Sequence, residues 1–422
     1  MVTMKILLFA NTEWYLYNFR RSLALALRDA GHEVLLVSPP GRYGERLQAL
    51  GLRWLPAPME RRSLNPLREL ALVQWLRRLV RDEAVDLVHG FTIKCAVYGS
   101  LAARTTGRAR VNAVAGMGYV FTSDDARARI LRPIVRALMR LALGGERSRL
   151  ILQNPDDVAL FEKAGLVHSG QVRLIPGSGV DCRRFAPPSA NAEAAGDARL
   201  RVVLPARLLW DKGLAEFVEA ARILRAEGRR MDFLLAGDPD PGNPAAVPEA
   251  MVRSWVDEGL LSWLGHVEDM PALFGSVDVV VLPSYREGLP KGLIEAGACG
   301  LPLVTTDVPG CREVVSDGVD GLLVPPKDAA ALARAIARLD ADPALRARLG
   351  AAARAKALAR FDERIVIERT FDVYGELFGP EADRLAVPGR KPSAREAAFG
   401  GRMIEEGLGA LAVRGEPGQL RG

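Results

Sequence analysis

Glu287 and Glu295 stand eight positions apart in the stretch Ser-Tyr-Arg-Glu-Gly-Leu-Pro-Lys-Gly-Leu-Ile-Glu, residues 284 to 295. The apolar run Val277 to Leu282 before it and Leu303 to Thr306 after it read as buried parallel strands, which makes the segment between them a βαβ crossover. Ligands of such sheets bind beyond the carboxyl ends of the strands. Glu287 then lies in the loop at a strand tip, and Glu295 lies one or two turns inside the following helix. Gly288, Gly292 and the free backbone N–H groups at the helix start suit a diphosphate, because unpaired amides and the helix dipole favour an anion. With Leu289, Pro290 and Lys291 completing the turn, one carboxylate reaches a sugar and the other a ribose. That is the pattern of a nucleotide-sugar site.

Ala206-Arg207-Leu208-Leu209-Trp210-Asp211-Lys212-Gly213 follows a predicted strand, Arg201 to Leu204, and precedes the helical pattern Leu214 to Glu227. Arg207 offers a planar fork and Lys212 a point charge at a helix start. Together they can neutralise a leaving diphosphate without a metal. Any one of these residues alone is more simply a surface ion pair or an ordinary strand-to-helix turn; the set in this order carries the inference.

On these residues the chain resembles the family-four retaining glycosyltransferases, which share the two-domain GT-B fold and a Glu, seven residues, Glu motif. Glu287 and Glu295 match that motif, and Arg207 and Lys212 match the family's diphosphate-binding pair. The likeness runs from Met4 to about Phe378. Trp14-Tyr15-Leu16-Tyr17-Asn18-Phe19-Arg20, Arg62-Ser63-Leu64-Asn65-Pro66 and Gly116-Met117-Gly118 are similar to segments of bacterial enzymes that add a hexose or N-acetylhexosamine to a sugar on diphospho-undecaprenol. These include the N-acetylgalactosaminyltransferases that extend linked bacillosamine. The resemblance implies a UDP-sugar donor, a polyprenyl-diphosphate-linked acceptor, retention at the anomeric carbon and no metal or other cofactor. It implies base-side contacts at Gly237, His266 and Val267, and an acceptor side at Tyr17, Arg20, Lys94 and Gly118.

Three departures stand out. The sugar-facing second His of the family's His-x-His falls on Phe91, so its role is absent or moved to Lys94, and His89 reads as a packed residue. Asn11-Thr12-Glu13 replaces the Gly-Gly pair after the first strand. Asp238-Pro239-Asp240 has the form of the Asp-x-Asp metal motif of the other glycosyltransferase fold, yet sits in a Pro/Gly-rich turn near the Arg207 and Lys212 pair.

The 422 residues, 49% of them hydrophobic, suffice for two ordinary domains. No apolar stretch reaches the roughly 18 to 20 residues that span a bilayer, and Lys5 to Ala10 reads as a first strand rather than a signal peptide. Cys95, Cys182, Cys299 and Cys311 show neither close pairing nor metal-ligand spacing, which fits reduced thiols. The expected location is therefore the cytoplasm, at the inner face of its membrane. The net charge of +6 divides unevenly: residues 1 to 187 hold 28 Lys and Arg against 16 Asp and Glu (+12), residues 188 to 422 hold 29 against 35 (−6). Arg129, Arg132, Arg136 and Arg140 recur on one helical face, beside Ile130, Ile134, Leu138 and Leu141. Such a helix either lies on an anionic membrane or turns its apolar stripe to its own core; the lipid-linked acceptor implied by the resemblance favours the membrane. The chain lacks a zinc-ligand pattern, an aromatic RNA-binding signature and a recognition-helix motif, so nucleic acid is not expected.

Alternating strand and helix patterns predict an α/β chain of two Rossmann-like, doubly wound domains facing a cleft. Residues 1–180 form the acceptor-binding, membrane-facing domain, 181–199 a linker and 200–360 the nucleotide-sugar domain. Residues 361–379 form a helix crossing back to the first domain, and 380–422 a mobile tail. A GT-B-fold UDP-amino-sugar epimerase and a non-catalytic nucleotide-sugar-binding protein share this architecture and remain alternatives.

Overall fold

A computed structural model describes residues 3–61, 63, 65–114, 126–188 and 199–378, with the side chains of 126–131 left undescribed. Residues 380–422, expected to form a mobile tail, and Gly118 lie outside the described residues. Two parallel sheets carry the chain. The first has seven strands in the order β3-β2-β1-β4-β5-β6-β7: β1 (Lys5–Phe9), β2 (Glu33–Ser38), β3 (Arg53–Pro56), β4 (Leu87–Phe91), β5 (Ala109–Ala113), β6 (Ser148–Leu152) and β7 (Val172–Leu174). The second has six in the order β10-β9-β8-β11-β12-β13: β8 (Leu200–Pro205), β9 (Met231–Ala236), β10 (Ser262–Gly265), β11 (Val279–Leu282), β12 (Leu303–Thr306) and β13 (Leu322–Val324). This is the GT-B architecture. The inner strands are buried along their length, as sheets covered by helices on both faces require.

Strand β3 carries no expectation from the sequence. Arg53-Trp54-Leu55-Pro56 is an edge strand with only two adjacent apolar residues, so neither alternation nor a continuous run marks it; its register, Leu35 beside Arg53 through Ser38 beside Pro56, comes from β2. The helix Pro343–Lys356 does not continue as a regular α-helix. It passes into a π-helical turn, Ala357–Phe361, that buries Ala357 and Phe361.

The helix Glu363–Gly375 buries Val366, Phe371, Val373 and Tyr374 in the core on one face of the first sheet. Asp362 starts it by accepting from the Arg364 amide at 2.9 Å. The two crossings between domains are tied together, since the Val180 amide donates to the Phe361 carbonyl (2.9 Å) and the Glu363 amide to the Val180 carbonyl (3.0 Å).

Tyr374 also meets His89, whose Nδ1 lies 2.6 Å from the phenol oxygen. His89 is wholly buried against Phe91, with ring centroids 4.1 Å apart, and its Nε2 has no partner. Burial pushes the imidazole well below its ordinary range, and neighbouring Arg20 adds to the shift. Burial lowers His32 likewise. Because these folded-state values are depressed, the unfolded chain takes up protons first as pH falls. Stability should therefore decline below about pH 6.5, by about 1.4 kcal/mol per pH unit for each ring that stays neutral. Thermal melts at pH 7.5 and 5.5 check this, and the drop should be smaller in His89→Phe; equal drops would place the effect elsewhere.

Candidate active site

The strand order of the second sheet reverses between β8 and β11, and the carboxyl ends of these neighbours carry the two clusters singled out above. Their tips touch. Lys212 Nζ donates to Glu287 Oε1 at 2.5 Å, across 75 positions of sequence, and Ser284 Oγ donates to the same oxygen at 2.7 Å. Lys212 ends a short 3-10 turn, Trp210–Lys212, and Gly213 follows with φ +75°. A Cβ at Gly213 would collide with the Pro283 carbonyl, so only glycine lets the β8 turn lie against the β11 turn. The pair is sheltered, with side chains 20% and 11% exposed.

Arg207 stands apart from this pair. Its Nη1 donates to Asp240 Oδ2 at 2.7 Å, and its side chain is 54% exposed. The Asp238-Pro239-Asp240 turn is thus occupied within the protein: Asp240 also accepts from Asn243 at 3.0 Å, and Asp238 lies 3.3 Å from His266 Nδ1. Among the described residues no group of three or more His, Cys, Asp or Glu side chains is placed to hold a metal.

Glu295 lies in the helix Lys291–Ala298, whose first residues have no side-chain cap. Burial pushes its carboxyl above the ordinary range, opposed by Lys291, whose Nζ is 3.5 Å away. Glu295, Lys291 and Gly292 line a cleft of about 730 Å³ between the domains, together with Gly237, His266 and Val267 from the tips of β9 and β10. Across it lie Tyr17, Asn18 and Phe19, and the Asn18 carbonyl accepts from Lys291 Nζ at 2.7 Å. Gly237 fits because a Cβ there would strike the Ala206 carbonyl. Leu289 packs against Gly177 and into the core beside the hinge, and Pro290 is buried as the residue preceding the helix.

The acceptor-side residues divide. Tyr17 faces the cleft, with its ring 5.3 Å from Tyr43 and 4.9 Å from the Arg21 guanidinium. Arg20 is buried: its guanidinium stacks 4.3 Å over Phe91, Nη2 donates to the Tyr15 hydroxyl at 3.0 Å, and Nε has no partner. It lies in the π-helical turn Leu16–Arg20, a local device often found at functional sites. Lys94 does not replace the missing histidine. Its Nζ bonds Glu69 (2.8 Å) and the carbonyls of Glu60 (2.8 Å) and Ser63 (3.1 Å), so it ties a loop to a helix away from the cleft lining.

On the basic helix Ala126–Leu143 both charged and apolar side chains reach the surface. Arg140, itself exposed, donates to the carbonyls of Gly165 (2.6 Å) and Ala164 (3.4 Å), and Arg136 has its Nε buried. Ile134, Leu138 and Leu141 are exposed on the same helix. The Arg129 side chain lies outside the described residues.

Residues from the first domain that sequence reading missed reach the Glu287 loop. Asn154 Nδ2 donates to the Gly288 carbonyl at 2.8 Å, and Asp157 lies 3.5 Å from Arg286. Separated by 134 and 129 positions, these contacts have no local signature; the only signal is Asn154-Pro155-Asp156-Asp157, which reads as a helix cap.

Comparison with known proteins follows the same division into halves. Residues 5–154 match the family model described as glycosyl transferase 4-like, and residues 199–342 that described as glycosyl transferases group 1. The chain is 29% identical over 368 residues, covering 85% of itself and 95% of the relative, to the N,N'-diacetylbacillosaminyl-diphospho-undecaprenol alpha-1,3-N-acetylgalactosaminyltransferase of Campylobacter jejuni. It is 26% identical over 296 residues, 67% of itself and 74% of the relative, to the Escherichia coli UDP-Gal:alpha-D-GlcNAc-diphosphoundecaprenol alpha-1,3-galactosyltransferase. Anabaena HepE, solved in complex with UDP, superposes with a TM-score of 0.71 at 20% identity, covering 88% of this chain and 99% of that one. With both halves matched and both sheets arranged as two facing Rossmann-like domains, the chain belongs to the group 1, family-4-like glycosyltransferases.

Proposed function

We propose that the protein transfers a hexose or N-acetylhexosamine from a UDP-sugar to a hydroxyl of a sugar carried on a polyprenyl diphosphate, with retention and without a metal. The observation that carries this is the meeting of Lys212 and Glu287 at adjacent strand tips, beside a cleft that also receives Glu295. Lys212 stabilises charge developing on the leaving diphosphate, and Arg207 joins it as a second cation at the same strand tip. Glu287 holds the donor hexose and Glu295 the ribose hydroxyls. The anomeric carbon–phosphate oxygen bond breaks as the acceptor hydroxyl oxygen bonds the same carbon on the same face. The hydroxyl proton passes to the departing phosphate oxygen. No protein base is needed, which suits a chain with a buried Phe91 at the position where the resemblance implies a sugar-facing histidine. The names of the Campylobacter and Escherichia relatives support the lipid-linked acceptor and, for the second, the UDP donor.

The test supplies UDP-N-acetylhexosamines and UDP-hexoses with a polyprenyl-diphosphate sugar and identifies the product. A lengthened lipid-linked glycan with an α-linkage from an α-donor, formed at full rate in excess EDTA, is expected. A free isomerised sugar would mean an epimerase, no product a binding protein, and loss in EDTA restored by manganese would overturn metal independence.

Among the described residues no helix is long and apolar enough to cross a membrane, so reaching the lipid requires a surface. Helices Pro66–Asp82 and Ala126–Leu143 both pack against Ile93–Thr105, placing Leu67 (76% exposed), Leu70, Ile134 (57% exposed), Leu138 and Leu141 on one outer layer of the basic domain. Changing Ile134, Leu138 and Leu141 to Ser should release the protein from anionic vesicles and impair transfer to a long-chain acceptor, while a short soluble analogue is used normally. Full co-sedimentation of that variant would exclude this face. Binding should also weaken with salt, since charge attraction is screened over about 8 Å at physiological ionic strength.

A further inference from the structure

The loop that carries Glu287 is gripped from both domains. From its own domain Gly310 backs it with φ +82°, where a Cβ would stand 2.5 Å from the carbonyl oxygens of Glu287 and Gly288. From the first domain comes the tip of β6. There Asn154 caps the helix Pro155–Lys163, its Oδ1 accepting from the Asp157 amide at 2.7 Å. That bond leaves its Nδ2 free for two acceptors at once: Asp157 Oδ2 at 3.0 Å and the Gly288 carbonyl at 2.8 Å. Asp157 in turn faces Arg286 at 3.5 Å. Asn154 and Asp157 are 0% and 3% exposed, so neither bond is shared with bulk water. Residues on each side of Glu287, Arg286 and Gly288, are thereby held by one capping pair across the cleft.

We propose that Asn154 and Asp157 form a latch by which closure of the first domain sets the position of Glu287. They touch neither donor nor acceptor and act as positioning residues. A buried amide that already caps a helix has a fixed orientation, so its second bond can form only when the loop stands at one place. The coupling therefore rewards the closed arrangement and the productive loop together. Arg286 adds charge to this contact, and Arg312 lies 4.0 Å from Asp156 on the same helix turn. This inference rests on Glu287 as the residue holding the donor hexose.

Asn154→Ser tests it, because serine retains the helix cap but cannot span to Gly288. It should lower kcat roughly tenfold, the scale of one buried hydrogen bond, with the Kd for UDP alone within about twofold. In a Glu287→Ala background the same change should cost nothing further, since the group it positions is gone. Arg286→Gln, a change at a more exposed position, serves should Asn154→Ser fail to fold, and should show a smaller loss that also vanishes in Glu287→Ala. Full kcat in both single variants, or losses that multiply with that of Glu287→Ala in single-turnover rates, would overturn the latch while leaving Glu287 in its role. Near-normal turnover of Glu287→Ala by itself would instead overturn the reading of Glu287, and the latch with it.

Discussion

Lys212→Ala should lower kcat by roughly 10²- to 10³-fold, the scale of one electrostatic donor removed from a developing anion. The ammonium is sheltered at the tip of β8 and held by Glu287, so its position is set before the donor arrives. No reorganisation is then required as charge builds on the leaving oxygen. The change also has a structural cost that its sequence position, at a turn, does not suggest. Glu287 is the less exposed partner and would keep only Ser284, so stability should fall by about 1–3 kcal/mol. Steady-state rates at saturating donor, measured well below the melting temperature, separate the two effects. A folded variant with near-normal kcat would show that the diphosphate leaves from elsewhere.

Glu295→Gln should act on binding instead. A carboxylate accepting from two ribose hydroxyls loses charge assistance at both when it becomes an amide, which corresponds to roughly 10- to 100-fold in the Kd for UDP, with kcat changed far less. Its pH behaviour follows from the buried setting. Because burial raises the Glu295 carboxyl above its ordinary value, the group protonates earlier on acidification than an exposed glutamate would. UDP affinity should therefore weaken as pH falls from neutrality, beginning above the usual carboxylate range, and the glutamine variant should lack that component. Lys291 opposes the shift, so Lys291→Ala should move the loss of affinity to still higher pH. Titration calorimetry with UDP across pH 5 to 8 measures both. A Glu295→Gln variant with unaltered affinity would remove Glu295 from the ribose site.

Much of this site was legible as a string of residues. Lys212 and Glu287 follow the ends of strongly apolar parallel strands and Glu295 lies in the helix that the second of these leads into, which assigns all three to the cleft edge. Glycines at 213 and 237 mark the tips for the same local reason. The sequence did not say where a long side chain with a choice of partners would go. Arg207, Lys94 and Arg140 are flexible cations whose destinations, Asp240, Glu69 and the Gly165 carbonyl, lie 33, 25 and 25 positions away. Periodicity placed the arginines of the helix Ala126–Leu143 on one face, yet could not say which face the domain would cover.

The sequence by itself determined two βαβ domains, which strand tips carry charge, and the family motif, because apolar periodicity and turn chemistry act over a few residues. Only the tertiary structure decided that Lys212 meets Glu287, that the Asp238-Pro239-Asp240 turn is consumed by Arg207 and His266, and that β6 reaches across to grip the Glu287 loop. Those contacts depend on strand order, on the packing of Glu363–Gly375 back onto the first sheet and on the approach of two separate cores. Each is a meeting of distant residues whose partners are chosen by the geometry of the whole fold, and no local stretch of chain encodes it.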